Sequence, residues 1–172
     1  MALEPWLREI DLNLHPALAQ PVFALQQVQE DLDRHTAGLT DDQVWLSVNG
    51  LTPLGFHLRH IAGSTRRLTT YLRGEQLTEA QIAEMREEEK QSGPSREQLL
   101  TQIAAAVREA EAAMRSLDPA NIGEPRFIGR KRIRTTAVAL AIHIGEHAQR
   151  HTGQAITTCH LLRATNRDVP VR

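Results

Sequence analysis

The chain is poor in cysteine, in aromatic residues and in net charge. Its 172 residues include one cysteine, Cys159, so no internal disulfide can form and a cytoplasmic location is expected. The 20 basic and 21 acidic residues leave a formal charge of −1, which gives no overall electrostatic case for binding nucleic acid. No apolar run approaches the roughly 18 residues of a membrane span, and the first residues lack the pattern of a signal peptide. These absences favour an ordinary soluble protein.

Residues that favour β-strands are also scarce. The chain has 8 Val and 10 Ile against 21 Ala and 21 Leu. Ala and Leu lead the scale of helix propensity, whereas β-branched residues favour strands, so the composition predicts an all-α fold. No stretch rich in Gly, Ser or Pro is long enough to divide the chain, and we predict a single domain over residues 1–172.

The apolar periodicity predicts four long amphipathic helices. They are expected at about residues 13–35, 53–73, 96–117 and 136–162. Thr52 is placed as the N-cap of the second helix, with Pro53 at its first position, where the missing N–H costs nothing. Ser95 and Gln98 form a capping-box pattern at the start of the third helix. Four such helices predict a four-helix bundle.

One short additional helix is predicted between helices two and three. Thr78 followed by Gln81 matches a capping box and begins an acidic segment that ends before Gly93. Residues 121–134 are predicted to be irregular, with a small hairpin around Gly129 as the alternative. The expected fold is therefore a bundle of four long helices with one short helix inserted.

Three histidines follow one another at four-residue steps on the predicted fourth helix: His143, His147 and His151. Residues four apart differ by about 40° in azimuth and about 6 Å in rise, so two imidazoles at this spacing can hold one divalent ion. The outer two are about 12 Å apart in rise, which excludes a site made of all three. His151 lies near the centre of the apolar stripe and His143 at its edge, so the inward pair is His147 and His151. The alternative is that buried histidines here find hydrogen-bond partners and bind no metal.

A third ligand is expected from the second helix, which carries His57 and His60. His60 lies on a face with Phe56 and Tyr71, nearly opposite Leu58, and His57 lies between the two faces. Periodicity alone leaves open which of the two histidines points towards helix four. A helix that is apolar on two sides also indicates more apolar surface than one small bundle must bury.

Two segments carry a family resemblance. Residues 53–63 (PLGFHLRHIAG), within residues 45–74, resemble the second-helix signature of the DinB/YfiT-like superfamily. Residues 146–154 (EHAQRHTGQ) resemble the fourth-helix signature of the same superfamily. The two segments occur in the order that the family shows, and its four-helix architecture extends over nearly the whole chain.

The resemblance implies a divalent metal ion, usually zinc or nickel, held by one histidine of helix two and two of helix four. Matched residue by residue, these ligands are His60, His147 and His151. The resemblance further implies a homodimer, and it points to thiol-dependent transferases that act on small molecules, with a low-molecular-weight thiol such as bacillithiol or mycothiol. A non-catalytic metal-binding stress-response protein and a metal-dependent hydrolase are the alternatives. No catalytic acid or base is assigned.

The remaining candidates favour structural roles. Glu146 adjoins a proposed ligand, but its side chain points about 100° away, so it is a poor general base. Cys159 is expected to be a small buried residue and not a nucleophile. A basic cluster before helix four is interpreted as a solvated loop, with capture of an anionic substrate as the alternative. Its members are Arg126, Arg130, Lys131, Arg132 and Arg134.

Overall fold

A computed structural model describes residues 3–8 and 14–167 of the chain. Its α-helices are α1 (Pro16–Thr36), α2 (Asp41–Trp45), α3 (Leu54–Leu72), α4 (Glu79–Glu87), α5 (Arg96–Arg115) and α6 (Ala137–Arg167). Two short strands, β1 (Pro125–Ile128) and β2 (Ile133–Thr136), lie between α5 and α6. Single 3₁₀ turns occur at Pro5–Leu7 and Pro119–Asn121.

The long helices α1, α3, α5 and α6 form a bundle, which confirms the predicted all-α architecture. Helix α1 packs against α6 and α5, and α3 packs against α5 and α6. The short helix α4 contacts α3, and it is the additional helix that the sequence predicts between helices two and three. The predicted start of α1 at Asn13 lies outside the described residues, and the helix begins at Pro16.

Side-chain caps start two of these helices where the sequence places them. The capping boxes of Thr78 with Gln81 and of Ser95 with Gln98 are both formed. Helix α3 begins one residue later than predicted, because Pro53 itself occupies the N-cap position. Helix α2 was not predicted, although Thr40 begins it through a third capping box of the same kind.

The segment predicted to be irregular contains an antiparallel hairpin, so the alternative around Gly129 is the correct one. Pro125 pairs with Thr136 and Ile128 with Ile133. Gly129 has a φ of 67°, the left-handed conformation that glycine adopts at little cost. The hairpin is held to the C-terminal end of α3, since Arg126 Nε donates to the backbone oxygen of Leu72 at 2.6 Å.

Helix α3 has buried residues on both of its faces. Leu58 is fully buried and Tyr71 is 8% exposed, although they lie on different sides of the helix. The two-sided pattern is therefore satisfied within the same chain, where α4, α5 and α6 all contact α3. Within the described ranges, no helix combines the length and the apolar character that a membrane crossing requires.

Candidate metal centre

Three partly exposed histidines from two neighbouring helices meet in the bundle. His60 is on α3, and His147 and His151 are one turn apart on α6. One nitrogen of each imidazole lies within 4.8 Å of the corresponding nitrogens of the other two. The structure therefore brings together the three residues that the sequence singles out, and we call them the histidine cluster.

The rings of the cluster face one another at short range. His60 Nε2 lies 3.0 Å from His147 Nε2. The ring centroid of His151 is 4.4 Å from that of His60 and 4.7 Å from that of His147. Two nitrogens bound to one tetrahedral zinc ion are about 3.3 Å apart, given Zn–N bonds of about 2.0–2.1 Å. The spacing of the cluster is thus close to what a shared ion requires.

Burial keeps the α6 imidazoles neutral. Desolvation, helped by the neighbouring His151 and His60, lowers the pKa of His147 to about 4. Desolvation and the charge of His60 also lower the pKa of His151. A neutral imidazole has a lone pair on one ring nitrogen, and the lone pair is what binds a metal ion.

A buried ion pair stands directly behind His60. Glu88 is 4% exposed, and its Oε2 lies 2.8 Å from His60 Nδ1. Arg67 contacts both oxygens of the same carboxylate, through Nη1 at 2.5 Å and Nη2 at 3.1 Å. Burial alone raises the pKa of Glu88, but the hydrogen bonds from His60 and Arg67 outweigh it and leave the pKa below its ordinary value. Glu88 is therefore an ionised carboxylate that can only accept hydrogen bonds.

Sequence reasoning missed both members of this ion pair. Glu88 lies in the acidic segment that begins at Thr78, and the sequence analysis singles out no residue of that segment for the site. A usable signal was present in Arg67, which follows His60 by seven residues and so lies two turns further along the same face of the helix. A charged residue on a buried helix needs a partner of opposite charge.

The comparison with protein families agrees with this geometry. A family model described as the DinB superfamily matches residues 24–155 of the chain. The chain belongs to the DinB superfamily. The matched region contains the whole histidine cluster together with Glu88 and Arg67. A comparison with curated proteins finds no match to the chain.

The residues present fit the divalent ion that the resemblance to the DinB superfamily implies. The cluster supplies three imidazoles, which are common zinc ligands. The Nδ1 atom of His151 is buried and has no hydrogen-bond partner among the described residues. A buried polar atom without a protein partner leaves room for a partner from outside the chain, and the three imidazole nitrogens lie close enough together to share one ion.

The two histidines that adjoin the cluster have different surroundings. His57 is 8% exposed, and its ring centroid lies 6.0 Å from that of His151, so it is a neighbour of the cluster and not a member. Desolvation, with help from His151 and His60, lowers the pKa of His57 to about 4. His143 is half-exposed at the rim, where its Nδ1 lies 3.3 Å from Glu146 Oε2. The structure thus separates His60 from His57, a choice that periodicity left open.

The other candidates lie apart from the cluster. Glu146 is exposed and is engaged by Arg150 and His143. Cys159 is fully buried, and desolvation raises the pKa of its thiol to about 11, which suits a packing residue better than a nucleophile. The basic cluster occupies the hairpin at the far end of α3, about 18 Å along the helix from His60. The basic cluster does not border the histidines, so the geometry does not support the alternative that it captures an anionic substrate next to them.

Proposed function

We propose that this DinB-superfamily chain binds one divalent ion, zinc or nickel, through His60, His147 and His151, and acts as a metal-dependent enzyme on a small molecule. The observation that carries the proposal is the convergence of three imidazole nitrogens within 4.8 Å, with a carboxylate behind one of them. Three neutral ligands leave the ion its full charge. A divalent ion held in this way would lower the pKa of a coordinated thiol or water molecule.

A cleft beside the cluster offers space for a small substrate. Its volume is about 490 Å³, within the range of typical ligand pockets, and it lies between α6 and the start of α3. His57 and Gln154 contribute to its wall, as does the exposed Leu51. His57, whose ring centroid lies 6.0 Å from that of His151, separates the cleft from the cluster, and the three cluster histidines do not line the cleft. The mixed lining suits a compact molecule with both polar and apolar parts.

Thiol transfer is the reaction that we propose. The family resemblance supports it, and a low-molecular-weight thiol is the corresponding partner. In this scheme the three histidines hold the reactive centre, and the walls of the cleft orient the second substrate and reduce its contact with water. Glu146 takes no part, because it is exposed and paired with Arg150. Binding of metal without catalysis, in a stress-response protein, is the second candidate, and hydrolysis is the third.

Elemental analysis of purified single alanine variants tests the metal site. We expect one divalent ion per chain in the wild type, and loss of the ion in His60→Ala, His147→Ala and His151→Ala. His57→Ala and His143→Ala are matched controls on the same two helices, and we expect both to retain the ion. A site emptied by His57→Ala but not by His60→Ala would show that the wrong histidine of α3 was chosen. Wild-type protein without metal after incubation with zinc or nickel would refute the proposal.

A substrate panel separates the candidate reactions. Metal-loaded protein is incubated with low-molecular-weight thiols and electrophilic acceptors, and in parallel with hydrolysable esters. Turnover with thiols that disappears with a chelator and returns with metal supports thiol transfer. Turnover with esters alone supports the hydrolase, and no turnover with a loaded site supports the non-catalytic protein.

Assembly into a homodimer in the cytoplasm completes the proposal. The resemblance to the DinB superfamily supports the dimer, whereas the two-sided pattern of α3 no longer does, because α5, α6 and the segment that carries Glu88 cover α3 within the same chain. Exposed apolar side chains such as Leu46 and Ile142, which are 48% and 49% exposed, are available for such a contact. Light scattering is expected to give about twice the chain mass of 19.3 kDa, and a stable monomer would refute the dimer.

A further inference from the structure

The segment between α3 and α5 runs back along α3 as a polar strap, which we define as residues 79–93. Its helix α4 has no buried residue, yet Glu88, the next residue, is 4% exposed. The strap thus inserts one carboxylate into the interior and leaves the rest of its helix at the surface. A helix with so little apolar burial has low local stability of its own.

Residues of α3 bind this carboxylate and leave space for it. Arg67 on α3 neutralises it through two contacts, and His60 on the same helix contacts it at 2.8 Å. Gly63 lies between them, and a Cβ atom at that position would overlap Glu88 Oε1 and lie 2.8 Å from Arg67 Nη1. The missing side chain of Gly63 is therefore what allows the carboxylate to approach the helix.

This contact sets the tautomer of His60. An ionised carboxylate can only accept a hydrogen bond, so His60 Nδ1 must be the donor. In the neutral ring the proton is then on Nδ1, and Nε2 has the lone pair. His60 Nε2 is the atom that faces His147, at 3.0 Å. Carboxylates that hold metal-binding histidines in this manner fix both the tautomer and the orientation of the ring.

Further polar contacts of the strap lie nearer the surface. Arg59 donates to the backbone oxygens of Glu87 and Ser92, each at 2.6 Å, and its guanidinium lies 4.5 Å from the ring centre of Trp45. Gln81 donates to Thr70 at 2.7 Å. Glu88 is the residue of the strap that reaches the histidine cluster.

We propose that Glu88 is a positioning residue for the metal ligand His60, and that it couples docking of the strap to metal binding in the histidine cluster. The proposal rests on the metal site proposed above. Coupling of this kind is reciprocal: metal favours the docked strap, and the docked strap raises the affinity for metal by the same factor. The metal affinity of the site then depends in part on Glu88, which lies 28 residues away from His60 in sequence.

The first test needs no metal. In metal-free wild-type protein at pH 8, ¹⁵N spectra of the imidazoles are expected to show the His60 proton on Nδ1. Glu88→Gln is expected to remove this preference, while Glu89→Gln, the same change at an exposed neighbour, leaves it intact. A His60 proton on Nε2 in the wild type would overturn the proposal, whatever the outcome of metal binding.

The second test measures the coupling. Glu88→Gln is expected to weaken zinc binding by about 10- to 100-fold relative to the wild type and Glu89→Gln. Hydrogen exchange of residues 79–93 is expected to slow when zinc is added to the wild type, and not in Glu88→Gln. If Glu88→Gln does not fold because Arg67 is left unpaired, the double variant Arg67→Met/Glu88→Leu replaces it in the same measurements, because leucine can neither accept nor donate a hydrogen bond.

The outcomes distinguish this proposal from the proposed function. Equal zinc affinity and equal exchange in the wild type and Glu88→Gln would refute the positioning role while the metal site stands. A wild type that binds no zinc or nickel would refute both the metal site and the coupling. Loss of affinity with an unchanged His60 tautomer would also overturn the positioning role, since the effect would then be one of general stability.

Discussion

Adding a single methyl group at Gly63 should disturb the site through the strap, without changing any charged or metal-binding residue. Gly63 is in the interior of α3, where alanine is intrinsically preferred to glycine by about 1 kcal/mol. The new Cβ atom would overlap Glu88 Oε1, which is engaged by Arg67. Helix propensity and packing therefore make opposite predictions for Gly63→Ala.

The packing effect is expected to be the larger one. Glu88 is 4% exposed, so moving its carboxylate breaks a buried ion pair. Breaking such a pair typically costs about 3–5 kcal/mol, because a charge is left without its partner. Subtracting the gain of about 1 kcal/mol in helix propensity leaves a net destabilisation of about 2–4 kcal/mol. We also expect weaker zinc binding, since His60 loses its hydrogen-bond acceptor.

Gly153→Ala is the matched control. Gly153 is also in a helix, near His151, but a Cβ atom there would meet no heavy atom within 4 Å. This variant should be stabilised by up to about 1 kcal/mol and should bind zinc normally. Urea unfolding of the two variants and the wild type, with zinc titrations in parallel, checks the prediction. Stabilisation of both variants to a similar extent would refute the packing argument.

Three further predictions concern pH, metal and the thiol. The pKa of His57 is about 4 in the folded state, so the free energy of unfolding should be constant above pH 6.5 and should decrease as the pH falls towards 4, with at most about 3 kcal/mol lost through this residue. In His57→Gln the free energy of unfolding, measured in urea, should depend less on pH, and an unchanged pH dependence would contradict the assignment. Zinc at about 100 times its Kd should raise the free energy of unfolding by about 2.7 kcal/mol. A chelator should reverse this increase and His147→Ala should abolish it, whereas equal melting curves with and without zinc would count against the site. The buried Cys159 thiol should react with a thiol reagent only when urea unfolds the chain, whereas rapid labelling of the folded protein would show that it is accessible.

Local features of the sequence predict the four long helices of the bundle and the short helix α4. The capping boxes at Thr78 and Ser95 predict helix starts because their hydrogen bonds join residues three apart. The apolar periodicity predicts the four bundle helices for the same reason, since each stripe is a property of one segment. The hairpin was harder to predict, because its four-residue strands are held by contacts with the distant α3, such as that of Arg126 with Leu72.

The site likewise has one part that follows from local sequence and one part that depends on tertiary contacts. The spacing of His147 and His151 on one helix follows from helix geometry alone, so the sequence by itself determined that these two imidazoles would be neighbours. The choice of His60 over His57 depends on how α3 is rotated against α6, and that rotation is decided by the packing of both faces of α3. Glu88 reaches His60 only because the strap folds back across 28 residues and because Gly63 leaves room for it. Tertiary structure decided these last contacts, since no local interaction joins the residues that make them.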